Sequence, residues 1–147
     1  MKILIVCTGN TCRSPMAEGI FNELKEIHNL DLQVLSAGIS AYEGSPISDR
    51  AIESLRDIHD ISHYRARMVS EDLVNQADLI LVMTRVHKDM LISSYRGIED
   101  KVYLLNEFAY GIDVDIEDPF GGGIEIYNQV RDKIYRAVEK IINKLKE

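Results

Sequence analysis

The apolar run Ile3-Leu-Ile-Val6 passes directly into Cys-Thr-Gly-Asn-Thr-Cys-Arg-Ser (7–14), followed by Pro15 and a segment with helical periodicity. A strand, a short loop and a helix in that order constrain the chain to an α/β fold. Cys7 then stands at the carboxyl end of a strand, where open sheets bind their ligands. Ser14-Pro15 starts the helix, whose free N–H groups face back toward the thiol, so an anion is the expected guest. A cysteine beside a helix N-terminus and an arginine is favoured as the nucleophilic thiolate. The loop reads as a phosphate cradle with a thiol at its base, and the chemistry as covalent phosphoryl transfer.

A chain of 147 residues is expected to form one domain, 1–147, with a core large enough to need no disulfide staples. Both cysteines lie in the loop, no apolar run approaches the roughly 18 residues of a membrane-spanning helix, and a signal-peptide pattern is missing. The expectation is a reduced, cytoplasmic monomer with no membrane partner. With 17 basic and 24 acidic side chains the formal charge is −7, which argues against nucleic acid and anionic lipid as general partners. Arg13 must do the anion work locally, and a phosphorylated protein substrate must be selected by local contacts.

Met16, Ile20, Phe21, Leu24 and Ile27 recur at three-to-four spacing and predict a helix over 15–27. Leu32 to Leu35 predicts a short strand closing in a Ser36-Ala-Gly38 turn, and a helix is expected from Ser48 to about Ile58. Asp78–Met83 is a second apolar run and Lys101–Leu105 a weaker third. Continuous runs separated by helical patterns indicate a parallel sheet buried on both faces. Ile126, Val130, Ile134, Val138, Ile141 and Leu145 predict a long closing helix over 124–145.

Before that helix lies the loop Tyr110-Gly-Ile-Asp-Val-Asp-Ile-Glu-Asp-Pro-Phe-Gly-Gly-Gly123, long enough to suggest function. Calcium does not fit it. A binding loop begun at Asp113 puts Asp118 where the sharp-turn glycine belongs and Ile124 where the bidentate Glu belongs. His28, His59, His63 and His87 have no ligand spacing and read as surface or satisfied residues. No metal and no cofactor are expected.

A phosphoryl group in the first loop would accept hydrogen bonds from successive backbone N–H groups and a bidentate pair from Arg13. Cys7 would attack phosphorus in line and form a thiophosphate intermediate. The leaving group needs a proton and the later water must lose one, so a single carboxyl must act as acid and then base. Asp118 is the best candidate because Pro119 stiffens its backbone and Gly121 to Gly123 let the loop fold over the phosphate. Asp113, Asp115 and Glu117 compete on spacing alone.

The chain resembles the low-molecular-weight protein tyrosine phosphatases through Val6-Cys-Thr-Gly-Asn-Thr-Cys-Arg-Ser-Pro15, Ser36-Ala-Gly38, Ala77-Asp-Leu79 and Asp118-Pro119. That resemblance implies a single-domain, three-layer α/β sandwich whose central four-stranded parallel sheet has strand order 2-1-3-4. It implies Cys7 as nucleophile, Arg13 as phosphate ligand and Asp118 as acid and base. It further implies that Ser14 eases departure of the Cys7 sulfur and that Asn10, Ser14 and Ser36 form a network fixing the loop. Cys12 resembles the family's second loop cysteine, which forms a reversible disulfide with the oxidised nucleophile.

Thr11 departs from the aliphatic residue common at this place in the tyrosine phosphatases and resembles the bacterial protein arginine phosphatase branch. Thr is smaller than Ile there and carries a hydroxyl for a guanidinium. Phe120 fits the aromatic wall of either pocket, and Tyr42 fits a wall position aromatic in many tyrosine phosphatases. The expected substrate-binding set is therefore Thr8, Gly9, Asn10, Thr11, Cys12, Ser14, Tyr42 and Phe120. Phosphoarginine is the first expectation and phosphotyrosine the alternative. An arsenate reductase of related fold needs a further cysteine pair, which this chain lacks. A phosphate-binding or redox-sensing module without turnover is the rival from another class.

Overall fold

The computed structural model describes residues 1–147. Strand β1 (Lys2–Cys7) is the axis of the sheet, because it pairs in parallel with β2 (Gln33–Gly38) on one side and with β3 (Leu79–Val82) on the other. Strand β4 (Val102–Leu104) extends the far edge, giving the order β2-β1-β3-β4. Strand order and parallel pairing agree with the sequence expectation.

Both faces of the sheet are covered, and alternation along the strands sorts the side chains between them. Ile3, Ile5, Cys7, Leu79 and Leu81 join one core with Met16, Ile20, Phe21, Val130, Ile134 and Val138. These come from α1 (Arg13–Ile27) and α6 (Ile124–Leu145). Leu4, Val6, Ile80 and Val82 join the opposite core with Val74 of α3 (Glu71–Gln76) and Leu91 of α4 (Arg85–Ser94). Two short helices, α2 (Asp49–Ser54) and α5 (Leu105–Tyr110), complete the first layer.

Element boundaries differ from the sequence expectation in instructive ways. Helix α1 begins at Arg13, so Pro15 lies in its first turn, where the missing N–H has no intrahelical role. Ser36-Ala-Gly38 is strand, because β1 and β2 stay in register to Cys7↔Gly38. Helix α2 stops at Ser54 and residues 55–58 continue as turns. The break lets both Leu55 and Ile61 pack on Gly19 of α1, where an added Cβ would lie 2.9 and 2.6 Å from their side chains. Helices α3 and α4 are short, and their caps are Ser70, which accepts from Leu73 N–H, and Thr84, which accepts from His87 N–H.

The order in which strands are added reverses at β1, with β2 on one side and β3 on the other, and the loop 8–12 leaves β1 at that switch point on the carboxyl side of the sheet. Gly38 lies beneath it. A Cβ on Gly38 would stand 2.6 Å from Thr8 O and 2.9 Å from Asn10 N, both backbone atoms. Gly38→Ala is therefore expected to destabilise the protein by about 1–3 kcal/mol and to weaken inorganic phosphate binding. Urea unfolding and phosphate titration of the variant check both effects.

Candidate active site

The backbone N–H groups of Thr8, Gly9, Asn10, Thr11 and Cys12 donate to no other group of the protein. Their direction follows from the carbonyls. Cys7 O accepts from Ile39 N–H at 3.0 Å and Thr8 O from Ser40 N–H at 2.9 Å. In a trans peptide the next N–H points the opposite way, so the amides of Thr8 and Gly9 face away from the 39–40 segment. Asn10 has φ 57°, the left-handed turn its residue type suits. The unpaired donors and the start of α1 make a site for an anion.

The support for this loop is a directed chain of hydrogen bonds. Asn10 Oδ1 accepts from Arg67 N–H at 2.9 Å, which orients the amide. Asn10 Nδ2 then donates to Ser14 Oγ at 2.8 Å and to Ser36 Oγ at 2.9 Å. The Ser36 hydroxyl in turn donates to Glu18 Oε1 at 2.6 Å. Ser14 Oγ, which accepts from Asn10, lies 2.8 Å from Cys7 Sγ, and a thiolate there can only accept. Burial pushes the Glu18 carboxyl above the ordinary carboxylate range, partly opposed by the Ser36 hydrogen bond.

Arg13 is 4% exposed. One nitrogen, Nη1, donates to Ile116 O at 2.9 Å, and Nη2 lies 3.7 Å from Asp118 Oδ2. Ile116 is itself anchored, its N–H donating to Met83 O at the end of β3. Thus the acidic loop is tied to the sheet and to the guanidinium by the same residue. Of the competing acids, Asp113 pairs with Arg85, Asp115 accepts from Arg85 N–H and Glu117 pairs with Lys133. Asp118 alone of the four lines the thiol cavity. Its Oδ1 accepts from Phe120 N–H at 3.1 Å, and the turn is completed by Gly122 N–H on Pro119 O with Gly121 at φ 84°.

That cavity, about 260 Å³, is lined by Cys7, Thr8, Gly9, Thr11, Cys12, Arg13, Asp118 and Phe120. Asn10, Ser14 and Ser36 stand outside its lining and are buried as supports. Tyr42 is not brought into the lining, and its side chain is 83% exposed. Cys7 and Cys12 are free buried thiols, and Cys12 Sγ lies 3.4 Å from the Tyr127 hydroxyl.

A model of the family described as low molecular weight phosphotyrosine protein phosphatase matches residues 2–147. The chain belongs to this family. It is 40% identical over 147 residues to a protein-arginine-phosphatase of Bacillus subtilis, a match covering 100% of this chain and 98% of that one. It is 43% identical over 143 residues to the low molecular weight protein-tyrosine-phosphatase PtpB of Staphylococcus epidermidis, covering 96% of each. Among solved structures, the YwlE arginine phosphatase, as a cysteine-to-serine mutant with a phosphorylated active-site serine, superposes with TM-score 0.96 at 39% identity, covering 100% of this chain and 97% of that one. The chain is thus a protein phosphatase of the low-molecular-weight family. No helix in it is long and apolar enough to cross a membrane.

Sequence reasoning missed four residues that support this phosphatase site, one of them Arg67, whose N–H holds Asn10. Glu18 falls one helical turn after Ser14, a spacing that could have pointed to it. Ile116 looks like any apolar loop residue. His87, expected to be a surface or satisfied residue, is buried at 4% exposure with Nε2 2.8 Å from Thr8 Oγ1. Its pKa is pushed down from 6.5 to about 4, first by burial and then by the positive charge of Arg13, against opposing pulls from Asp115 and Asp118.

Because the folded pKa lies below the unfolded one, the unfolded state takes up this proton first as the solution is acidified. Stability is full above pH 6.5 and falls as pH drops toward about 4. His87→Gln is expected to remove a slope of up to about 1.4 kcal/mol per pH unit across that window. Unfolding free energies at a series of pH values, compared between wild type and variant, isolate it from the carboxylates.

Proposed function

We propose that this phosphatase removes the phosphoryl group from phosphoarginine in proteins, without a metal or cofactor, through a thiophosphate on Cys7. The observation that carries the substrate reading is Thr11 in the lining of the thiol cavity, where a hydroxyl replaces an aliphatic branch. The 40% identity to a protein-arginine-phosphatase supports it.

In the first step the Cys7 thiolate attacks phosphorus and the P–N bond to the guanidine breaks. The amides of 8–12 and Arg13 carry the charge on the equatorial oxygens. Asp118, entering as the acid, gives its proton to the departing nitrogen. In the second step the Asp118 carboxylate takes a proton from water, which attacks phosphorus and releases inorganic phosphate. The sulfur leaves as a thiolate stabilised by the Ser14 hydroxyl. Arg13 is held ready by Ile116 O, so its orientation does not have to be found during the reaction. Cys12 is the proposed redox partner: a sulfenic acid on Cys7 would condense with its thiol to a disulfide, releasing water.

Phosphotyrosine is the second reading, favoured by the PtpB likeness. An arsenate relay has no second thiol pair to use.

On an aryl phosphate, Cys7→Ser is expected to lose turnover, and Asp118→Asn to lower kcat about 100-fold or more. Undiminished turnover in Cys7→Ser would eliminate the thiolate mechanism, and a wild type without turnover would leave a binding module. On matched peptides, wild type is expected to show the higher kcat/KM for phosphoarginine. Thr11→Ile should shift the ratio toward phosphotyrosine by about 10-fold. A wild-type preference for phosphotyrosine would overturn the Thr11 reading.

A further inference from the structure

Across the whole chain, one buried side-chain nitrogen or oxygen has no hydrogen-bond partner: Nδ1 of His87. The atom belongs to the ring whose other nitrogen holds Thr8, the residue next to Cys7. Native folds leave few such atoms, and each calls for a physical account.

A neutral imidazole carries one proton. On Nδ1 it would be a buried donor with no acceptor, and Nε2 would then accept the Thr8 hydroxyl proton. On Nε2 it leaves only a bare lone pair at Nδ1, and buried donors without acceptors are the rarer case. The Nε2–H form is therefore favoured. The first turn of α4, where His87 lies, and the nearby guanidinium both work against a second proton.

With Nε2–H donating to Thr8 Oγ1 at 2.8 Å, the hydroxyl proton of Thr8 is left for another acceptor. Its neighbourhood is well defined. Thr8 lines the thiol cavity with Cys7 and Arg13, and also an adjoining cavity of about 590 Å³ with Arg13 and Asp118. Its backbone is tied through Cys7 O and Thr8 O to the 39–40 segment. The hydroxyl is thus presented at the rim from a fixed main chain.

We propose that the Thr8 side chain, and not only its amide, contacts the substrate by donating its hydroxyl proton to an oxygen of the bound phosphorylated group or of the peptide carrying it, and that His87 is the positioning residue that sets this direction. The proposal rests on the phosphatase reading above and adds a contact to it.

Two measurements test it. In protein labelled with ¹⁵N-histidine at pH 7, long-range ¹H–¹⁵N correlations are expected to show His87 protonated at Nε2 and bare at Nδ1. A proton on Nδ1 overturns the proposal, with or without turnover. In aryl phosphate kinetics, Thr8→Val and His87→Phe are each expected to raise KM about 5-fold with kcat little changed, the effect of one neutral hydrogen bond. The double variant should be no worse than the poorer single one.

Thr8→Ser, which keeps the hydroxyl, and His87→Gln, whose amide nitrogen reaches the place of Nε2, should recover most of the loss. The inhibition constant of inorganic phosphate locates the acceptor: it weakens with Thr8→Val when the oxygen is on phosphorus. If only the KM of a phosphopeptide responds, the acceptor is on the peptide. Thr8 is exposed, so Thr8→Val tests the contact even where His87→Phe fails to fold. Unchanged KM in Thr8→Val on both substrates overturns the proposal. A wild type without turnover would refute the phosphatase reading instead.

Discussion

The side chain of Asn10 holds the first loop in a shape its backbone would not keep alone. Five consecutive amides without a partner in the protein, with a left-handed residue among them, give up the hydrogen bonds that would otherwise stabilise a turn. Asn10 compensates with all its polar atoms, accepting from Arg67 N–H and donating to Ser14 and Ser36. Each bond joins the loop to a different element: the segment before α3, helix α1 and strand β2. The loop is held from behind by the Asn10 side chain, so its front is free for an anion.

The same arrangement explains how an acidic chain handles a phosphate. The protein carries −7 overall, yet its anion site holds a buried arginine, a row of unpaired amides and a helix N-terminus. Burial strengthens these short-range terms and leaves the long-range charge to solvent screening. Arg13 remains tolerable there because Ile116 O takes one nitrogen and Asp118 lies beside the other. His87 stays neutral in the same neighbourhood, so the site gains no second cation.

The acidic loop shows why a motif needs its tertiary setting. Four carboxylates within six residues, from Asp113 to Asp118, are equivalent on spacing, and three of them are occupied with Arg85 and Lys133. Asp118 differs because Ile116, two residues earlier, is drawn into the core below Met83. That anchor turns the next residues across the cavity mouth. Tyr42, attractive as an aromatic wall, lies on an outer turn instead.

The four strands, the parallel sheet, the first and last long helices and the identity of the loop were legible in the sequence, because apolar runs and the Cys-to-Arg spacing are local properties of the chain; the short helices α3, α4 and α5 were not. The supporting residues beyond Asn10, Ser14 and Ser36 were not. Arg67, His87 and Ile116 reach the site from helices and segments distant in sequence, and Glu18 reaches Ser36 from the second turn of α1. What brings them there is the register of β1 with β2 and β3. Local composition determined which groups could bind and attack a phosphate. Only the packing of two layers on the sheet decided which carboxylate faces the thiol, how Asn10 is oriented and which nitrogen of His87 is left without a partner, since these depend on distances between parts of the chain that its local pattern does not encode.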